Sequence, residues 1–214
     1  MHAHALEELV PTLVNFSHQF KDEDQVREPN TDYKKHHEQE GKDELNILDV
    51  GCGSGYLTAA FGRLVDRHNG PISPLSKGHV YGIDVIPSLV DLSRKNMMKH
   101  DDDLLKSGTV DLSIGDGWAG LPSKAPFHVI HVGAAAEEFP TNLMMQLHPQ
   151  GGVMVIPVGR DGGIQALYRV ERLRDNDTYD SRDFSIRNLL GVRYVSLENL
   201  NLARCSRINF DDKC

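Results

Sequence analysis

The sequence predicts a single α/β domain with a doubly wound, mostly parallel sheet, of the Rossmann-like kind. Apolar strands alternate with helical periodicity from Leu45 onward, a strand runs straight into the alternating glycines Gly51, Gly53 and Gly55, and the final apolar segments follow one another with no crossover helix between them. A chain of 214 residues suits one domain better than two. With 39% hydrophobic and 25% charged residues it can fill a core, which excludes collagen-like, mucin-like and wholly disordered classes. The formal charge of −8 opposes a nucleic-acid backbone, so no nucleic-acid partner is expected. No apolar run is long enough to span a membrane, and Cys52, Cys205 and Cys214 form neither a disulfide framework nor a zinc motif. A reduced, cytoplasmic, monomeric protein is the resulting expectation.

Each element has its own local cause. Leu6, Leu9, Val10, Leu13, Val14 and Phe16 follow helical spacing, with Pro11 expected to kink that helix. From Ser17 to Asn46 the clusters KDED, KKHHEQE and KDE leave few apolar side chains, which reads as a charged, mobile insertion over 17–46. Ile47 to Val50 begins the sheet and Tyr56 to Val65 forms the next helix. HVYGIDV is a strand, and Pro87 to His100 is a helix with proline at its start. TVDLSIGDG, FHVIHVG and GGVMVIPVG give three more strands, with a helix across Thr141 to His148. Ala166 to Leu173 and Val192 to Leu197 complete an antiparallel edge.

The chemistry is expected at the strand ends. In Leu48-Asp49-Val50-Gly51-Cys52-Gly53-Ser54-Gly55, glycine lets backbone approach a ligand where any Cβ would obstruct it. Position six of the dinucleotide fingerprint is Tyr56, whose bulk argues against a pyrophosphate, and Asp49 suits a cationic amino-acid moiety. Asp84 closes the next strand and can accept two hydrogen bonds from a ribose diol. Asp116, within Gly115-Asp116-Gly117, can accept from an adenine amine. Together these ends describe a cleft for an adenosine with a charged tail. Cys52 reads as a small loop residue and not as a nucleophile, and Trp118 as packing over the cleft mouth. His128 and His131 point to opposite strand faces, which argues against a shared metal.

LDVGCGSGYLTA, YGIDVIPSLVDLS, IGDGWAGLPSKAPFHVIHVGAAAEEFP, LHPQGGVMVIPVG and LLGVRYVSL resemble, in order, the blocks of the protein-L-isoaspartate (D-aspartate) O-methyltransferases. The resemblance implies a class I S-adenosylmethionine-dependent methyltransferase fold and a cofactor of S-adenosyl-L-methionine, leaving S-adenosyl-L-homocysteine as product. It implies cofactor contacts at His2, Asp49, Gly51, Cys52, Gly53, Asp84, Val85, Asp116 and Gly117, and substrate contacts at Val192, Tyr194 and Val195. The implied reaction methylates the α-carboxylate of L-isoaspartyl or D-aspartyl residues in damaged peptides and proteins, which begins their repair. An acceptor would lie as extended backbone near Gly191 to Leu197. The family's serine would precede Met1, so no catalytic residue and no metal is expected among these residues. A catalytically impaired cofactor-binding adaptor and a small-molecule O-methyltransferase are the competing readings.

Overall fold

A computed structural model of the chain describes residues 2–25, 44–66 and 78–198, with side chains in the first helix described from residue 5 to residue 16. Helix α1 (His2–Gln25) leads to strand β1 (Leu45–Val50), helix α2 (Tyr56–Val65) and strand β2 (Gly78–Asp84). Helices α3 (Pro87–His100) and α4 (Asp102–Lys106) precede β3 (Val110–Ile114) and β4 (Val129–Val132). Then come α5 (Thr141–Met145), β5 (Val153–Val158), β6 (Gln165–Arg172) and β7 (Phe184–Val192). The strands form one sheet in the order β3-β2-β1-β4-β5-β6-β7. β3 to β5 run parallel through the middle, and β6 and β7 close the edge antiparallel, as the missing crossover helix requires.

Strand alternation sorts the core into two layers. Leu45 and Ile47 of β1 join Val80, Val110, Val129 and Val153 beneath α1, α2 and α3. Leu48 and Val50 join Ile83, Ile130, Met154 and Ile156 on the face that carries Leu143 and Met144 of α5. Ala5, Leu9, Leu13 and Phe16 of α1 are buried on the first face, at the helical spacing read from the sequence. Glu8 on the same helix ties it to the sheet edge by accepting from Arg187 at 2.7 Å.

Several boundaries move. The helix holding Pro11 continues to Gln25, so Ser17 to Gln25 extends α1 and is not part of an insertion. Leu45 is fully buried and opens β1, because it pairs with Gly78 and packs on the core. The rest of the 17–46 expectation, residues 26–43, lies outside the described residues. α5 stops at Met145, and α4 was missed because its acidic start looks like solvated loop. The last strand begins at Phe184 and ends at Val192, not at Leu197. Its exposed, mixed side chains hide the strand pattern, since among the described residues one edge of β7 has no neighbouring strand.

His128 and His131 do not take opposite faces: His128 lies edge-on to Phe16 of α1 at 4.5 Å and His131 faces Asp49 beside Phe61 of α2, both on the helix-covered side, because His128 precedes β4 and escapes its alternation. His128 is buried, stacks on His148 with ring centroids 4.5 Å apart, and accepts from the Asn46 N–H through Nδ1 at 3.1 Å. Burial, with the neighbouring His148 adding to it, pushes its pKa from the ordinary 6.5 down to about 3. The folded state therefore binds fewer protons than the unfolded chain between those limits, and stability should fall as pH drops through that window. Urea unfolding at pH 7 and pH 5 should show this fall, with this one group contributing up to about 1.4 kcal/mol per pH unit. His128→Asn keeps an acceptor near the Nδ1 position and should flatten the slope. An equal slope in the variant would assign the effect elsewhere.

Candidate functional site

The sheet reverses its winding between β1 and β4, so the loops after these strands diverge and leave a crevice at their carboxyl ends. A cavity of about 570 Å3 opens there. Its walls include Gly51, Gly53, Asp84, Val85, Gly117 and Gly133, with Val195 to Glu198 across the top. That volume lies within the roughly 300–1,000 Å3 of small-molecule sites.

The glycine loop is shaped by backbone needs. Gly51, Gly53 and Gly55 all have positive φ, at 74°, 54° and 81°, a region costly to residues with a Cβ. The N–H groups of Gly51 and Cys52 both donate to the Ile83 carbonyl, at 2.8 and 3.0 Å, which pulls the loop onto the end of β2. Asp84 then fixes it from the side: Oδ2 accepts from Gly53 N–H at 3.1 Å and Oδ1 from Ile86 N–H at 2.9 Å. Each carboxylate oxygen keeps a further lone pair, so Asp84 can brace the loop and still accept from a ligand. It is buried yet lines the cavity.

Asp49 does something different from what its place in the glycine motif suggests. Strand alternation turns it to the helix-covered face with Leu45 and Ile47, and β1–β4 register sets it beside His131. Its Oδ2 accepts from the Thr58 hydroxyl at 2.5 Å, and its Oδ1 stands 2.8 Å from His131 Nδ1. Both oxygens are thus occupied beneath the loop, and Asp49 is absent from the cavity wall. The period of the strand carried this signal in the sequence.

Other expected residues divide similarly. Cys52 is buried against Ser93, with burial pushing its thiol up to about 12, so it is neither a wall residue nor a nucleophile. Asp116 accepts from the Trp118 N–H at 2.9 Å and forms its turn, while its neighbours Gly115 and Gly117 line the cavity. Val195 lines the mouth and is 75% exposed. Tyr194 is turned aside, and its N–H and carbonyl are both held by the Gln165 side chain. Val192 closes β7 and borders a separate shallow hollow. His2 opens α1, and its side chain lies outside the described residues.

Tyr56 is 65% exposed on the outer side of α2, beside Arg63 and Asn96 and outside the cavity, so its bulk is not what opposes a pyrophosphate. Asp84, Asp161 and Glu198 stand in the wall and give it a negative potential that suits a cationic ligand. Asp161 and Glu198 were missed because they stand in irregular segments with no motif around them. Among the described residues, no group of three or more His, Cys, Asp or Glu could hold a metal ion. No helix among them is long and apolar enough to cross a membrane.

A family model described as protein-L-isoaspartate(D-aspartate) O-methyltransferase matches residues 39–201. The chain belongs to this family. A protein-L-isoaspartate O-methyltransferase of Triticum aestivum is 43% identical over 154 residues, covering 72% of this chain and 59% of that protein. One of Caenorhabditis elegans is 40% identical over 142 residues, covering 66% and 57%. The chain therefore spans less than two thirds of the length of these relatives. Among solved structures, a Plasmodium falciparum protein-L-isoaspartate O-methyltransferase in complex with S-adenosyl-L-homocysteine matches with TM-score 0.63 and 24% identity, covering 92% of this chain and 73% of that one. A second protein-L-isoaspartate O-methyltransferase matches with TM-score 0.55 and 22% identity over 73% of this chain and 43% of that one. These two share the fold.

The loop after β4, within His131-Val132-Gly133-Ala134-Ala135-Ala136, contributes Gly133 to the cavity wall. A Cβ there would lie 2.9 Å from the Gly51 carbonyl oxygen, which is backbone and cannot swing aside. Gly133→Ala should cost about 1–3 kcal/mol in urea unfolding with an unchanged m-value. Gly191→Ala, where a Cβ meets nothing within 4 Å, is the control and should be close to neutral. Equal losses at both positions would show that the Gly51–Gly133 approach is not a constraint.

Proposed function

We propose that this chain methylates the α-carboxylate of L-isoaspartyl, and of D-aspartyl, residues in damaged proteins, using S-adenosyl-L-methionine and releasing S-adenosyl-L-homocysteine. The observation that carries the reading is a family-matched crevice at the switch point of the sheet, walled by glycine backbone and three carboxylates. When bound, S-adenosyl-L-methionine supplies an electrophilic methyl group on a sulfonium. Asp84 accepts the ribose hydroxyls through the lone pairs left by Gly53 and Ile86, with Val85 beside it. Gly51 and Gly53 leave room for the amino-acid portion, and Gly115 and Gly117 leave room for the adenine. Asp161 and Glu198 supply negative potential toward a cationic cofactor.

The acceptor is a carboxylate with a reference pKa near roughly 4, ionised at neutral pH, so the reaction asks for position and exclusion of water, with no strong base. The acceptor peptide enters beside Val195, whose exposed side chain stands at the mouth. A monomeric, cytoplasmic enzyme that engages neither nucleic acid nor membrane is supported by the charge of −8 and by the buried free thiol of Cys52.

Calorimetry should show S-adenosyl-L-homocysteine binding with a dissociation constant on the order of micromolar and no binding of NAD. Transfer of a labelled methyl group to an isoaspartyl peptide, with none to its aspartyl twin, is the expected activity. Equal labelling of both peptides overturns the substrate assignment. Binding without any transfer overturns the activity and leaves a cofactor-binding module.

A further inference from the structure

The chain after β7 does not leave the sheet freely. It crosses the top of the cavity from Arg193 to Glu198 and is tied down by groups from the start of β6, the loop after β4 and the loop after β3. Where the β6–β7 ladder ends, at Gln165 opposite Val192, the Gln165 side chain continues it. Its Oε1 accepts from the Tyr194 N–H at 2.6 Å and its Nε2 donates to the Tyr194 carbonyl at 3.2 Å. The amide thus pairs with a main-chain residue as another strand would, and at 3% exposure it does so out of water. Beyond it, the Ala135 N–H donates to the Val195 carbonyl and the Leu197 N–H donates to the Ala135 carbonyl, each at 2.7 Å. Finally, Trp118 donates its indole N–H to the Leu197 carbonyl at 3.0 Å. The Leu197 side chain is held close over Gly117, where a Cβ would stand 2.6 Å from its Cδ1.

The two ends of this strap face different parts of the cavity. Leu197 is buried against Gly117, whereas Val195 is exposed at the mouth. Neither Trp118 nor Gln165 is part of the cavity wall. We propose that Trp118 and Gln165 are positioning residues that divide the work of the strap: Trp118 holds Leu197 as the wall of the cofactor site, and Gln165 holds Tyr194 and Val195 as the shelf for the acceptor. This deepens the methyl-transfer reading and rests on it. Each residue acts through the strap, so removing its polar link loosens one end while leaving the other tied by Ala135.

The test pairs binding without turnover against steady-state kinetics. Trp118→Phe keeps the apolar ring and deletes only the N–H donor. It should weaken S-adenosyl-L-homocysteine by about threefold to tenfold in calorimetry while the KM for an isoaspartyl peptide, at saturating S-adenosyl-L-methionine, stays within about twofold. Gln165→Met removes both bonds to Tyr194 and should do the reverse, raising the peptide KM by at least about fivefold with the dissociation constant for S-adenosyl-L-homocysteine within about twofold. If Gln165→Met does not fold, Gln165→Asn carries the same test, since it withdraws the amide by one methylene. Variants that move both quantities together, or neither, overturn the division while wild-type activity upholds the reading beneath it. A wild-type chain that neither binds the ligand nor methylates the peptide overturns that reading and this proposal with it.

Discussion

The Asp84 carboxylate accepts from Gly53 N–H with one oxygen and from Ile86 N–H with the other, and so joins the loop after β1 to the loop after β2 at one buried point. Charge-assisted bonds of this kind are the stronger class, and here they act where water is scarce. Without that bridge, the glycine loop would retain its bonds to the Ile83 carbonyl and those that Ser93 and Asn96 of α3 donate to the Gly53 and Ser54 carbonyls, but its tie to the loop after β2 would be gone. The crevice has its width because two loops that diverge at the switch point are each tied to a neighbour. Asp84 ties the first to β2, and the Gly133 N–H ties the loop after β4 to the Val50 carbonyl at 2.8 Å.

Beneath the loop lies a second polar layer. Thr58 of α2, Asp49 of β1 and His131 of β4 form a buried chain of contacts linking a helix to two adjacent strands. Every buried side-chain nitrogen or oxygen among the described residues finds a hydrogen-bond partner, so this layer is fully satisfied. Its effect on the site is indirect. It holds the strand ends from which the glycine loop and the loop beginning at Gly133 depart, and leaves the cavity wall itself to backbone, Asp84 and the strap.

The fold was legible in the sequence wherever burial imposed a period. The alternation of strands and helices from Leu45 to Val158 and the antiparallel edge follow from apolar spacing and from the lack of a crossover helix. β7 was hard to see because an edge strand with exposed Arg187 and Asn188 satisfies no alternation. At the site, Gly51, Gly53, Asp84, Val85, Gly117 and Val195 line the cavity. Asp49 was misplaced because the motif was read as a string; the two-residue period, applied to Leu48, Asp49 and Val50, sends its side chain to the opposite layer. Asp161, Glu198 and the pins on the strap had no local pattern at all. They are brought together by loops distant in sequence, which only tertiary structure places side by side.

Calorimetry of Asp84→Ala with S-adenosyl-L-homocysteine separates a carboxylate that both braces the glycine loop and receives the ligand from one that only braces the loop. Loss of the carboxylate should weaken binding by about 1.5–3 kcal/mol, the usual worth of hydrogen bonds to a charged acceptor, while the variant keeps its cooperative unfolding. A dissociation constant equal to that of the wild type would contradict the account and reduce Asp84 to a loop brace alone.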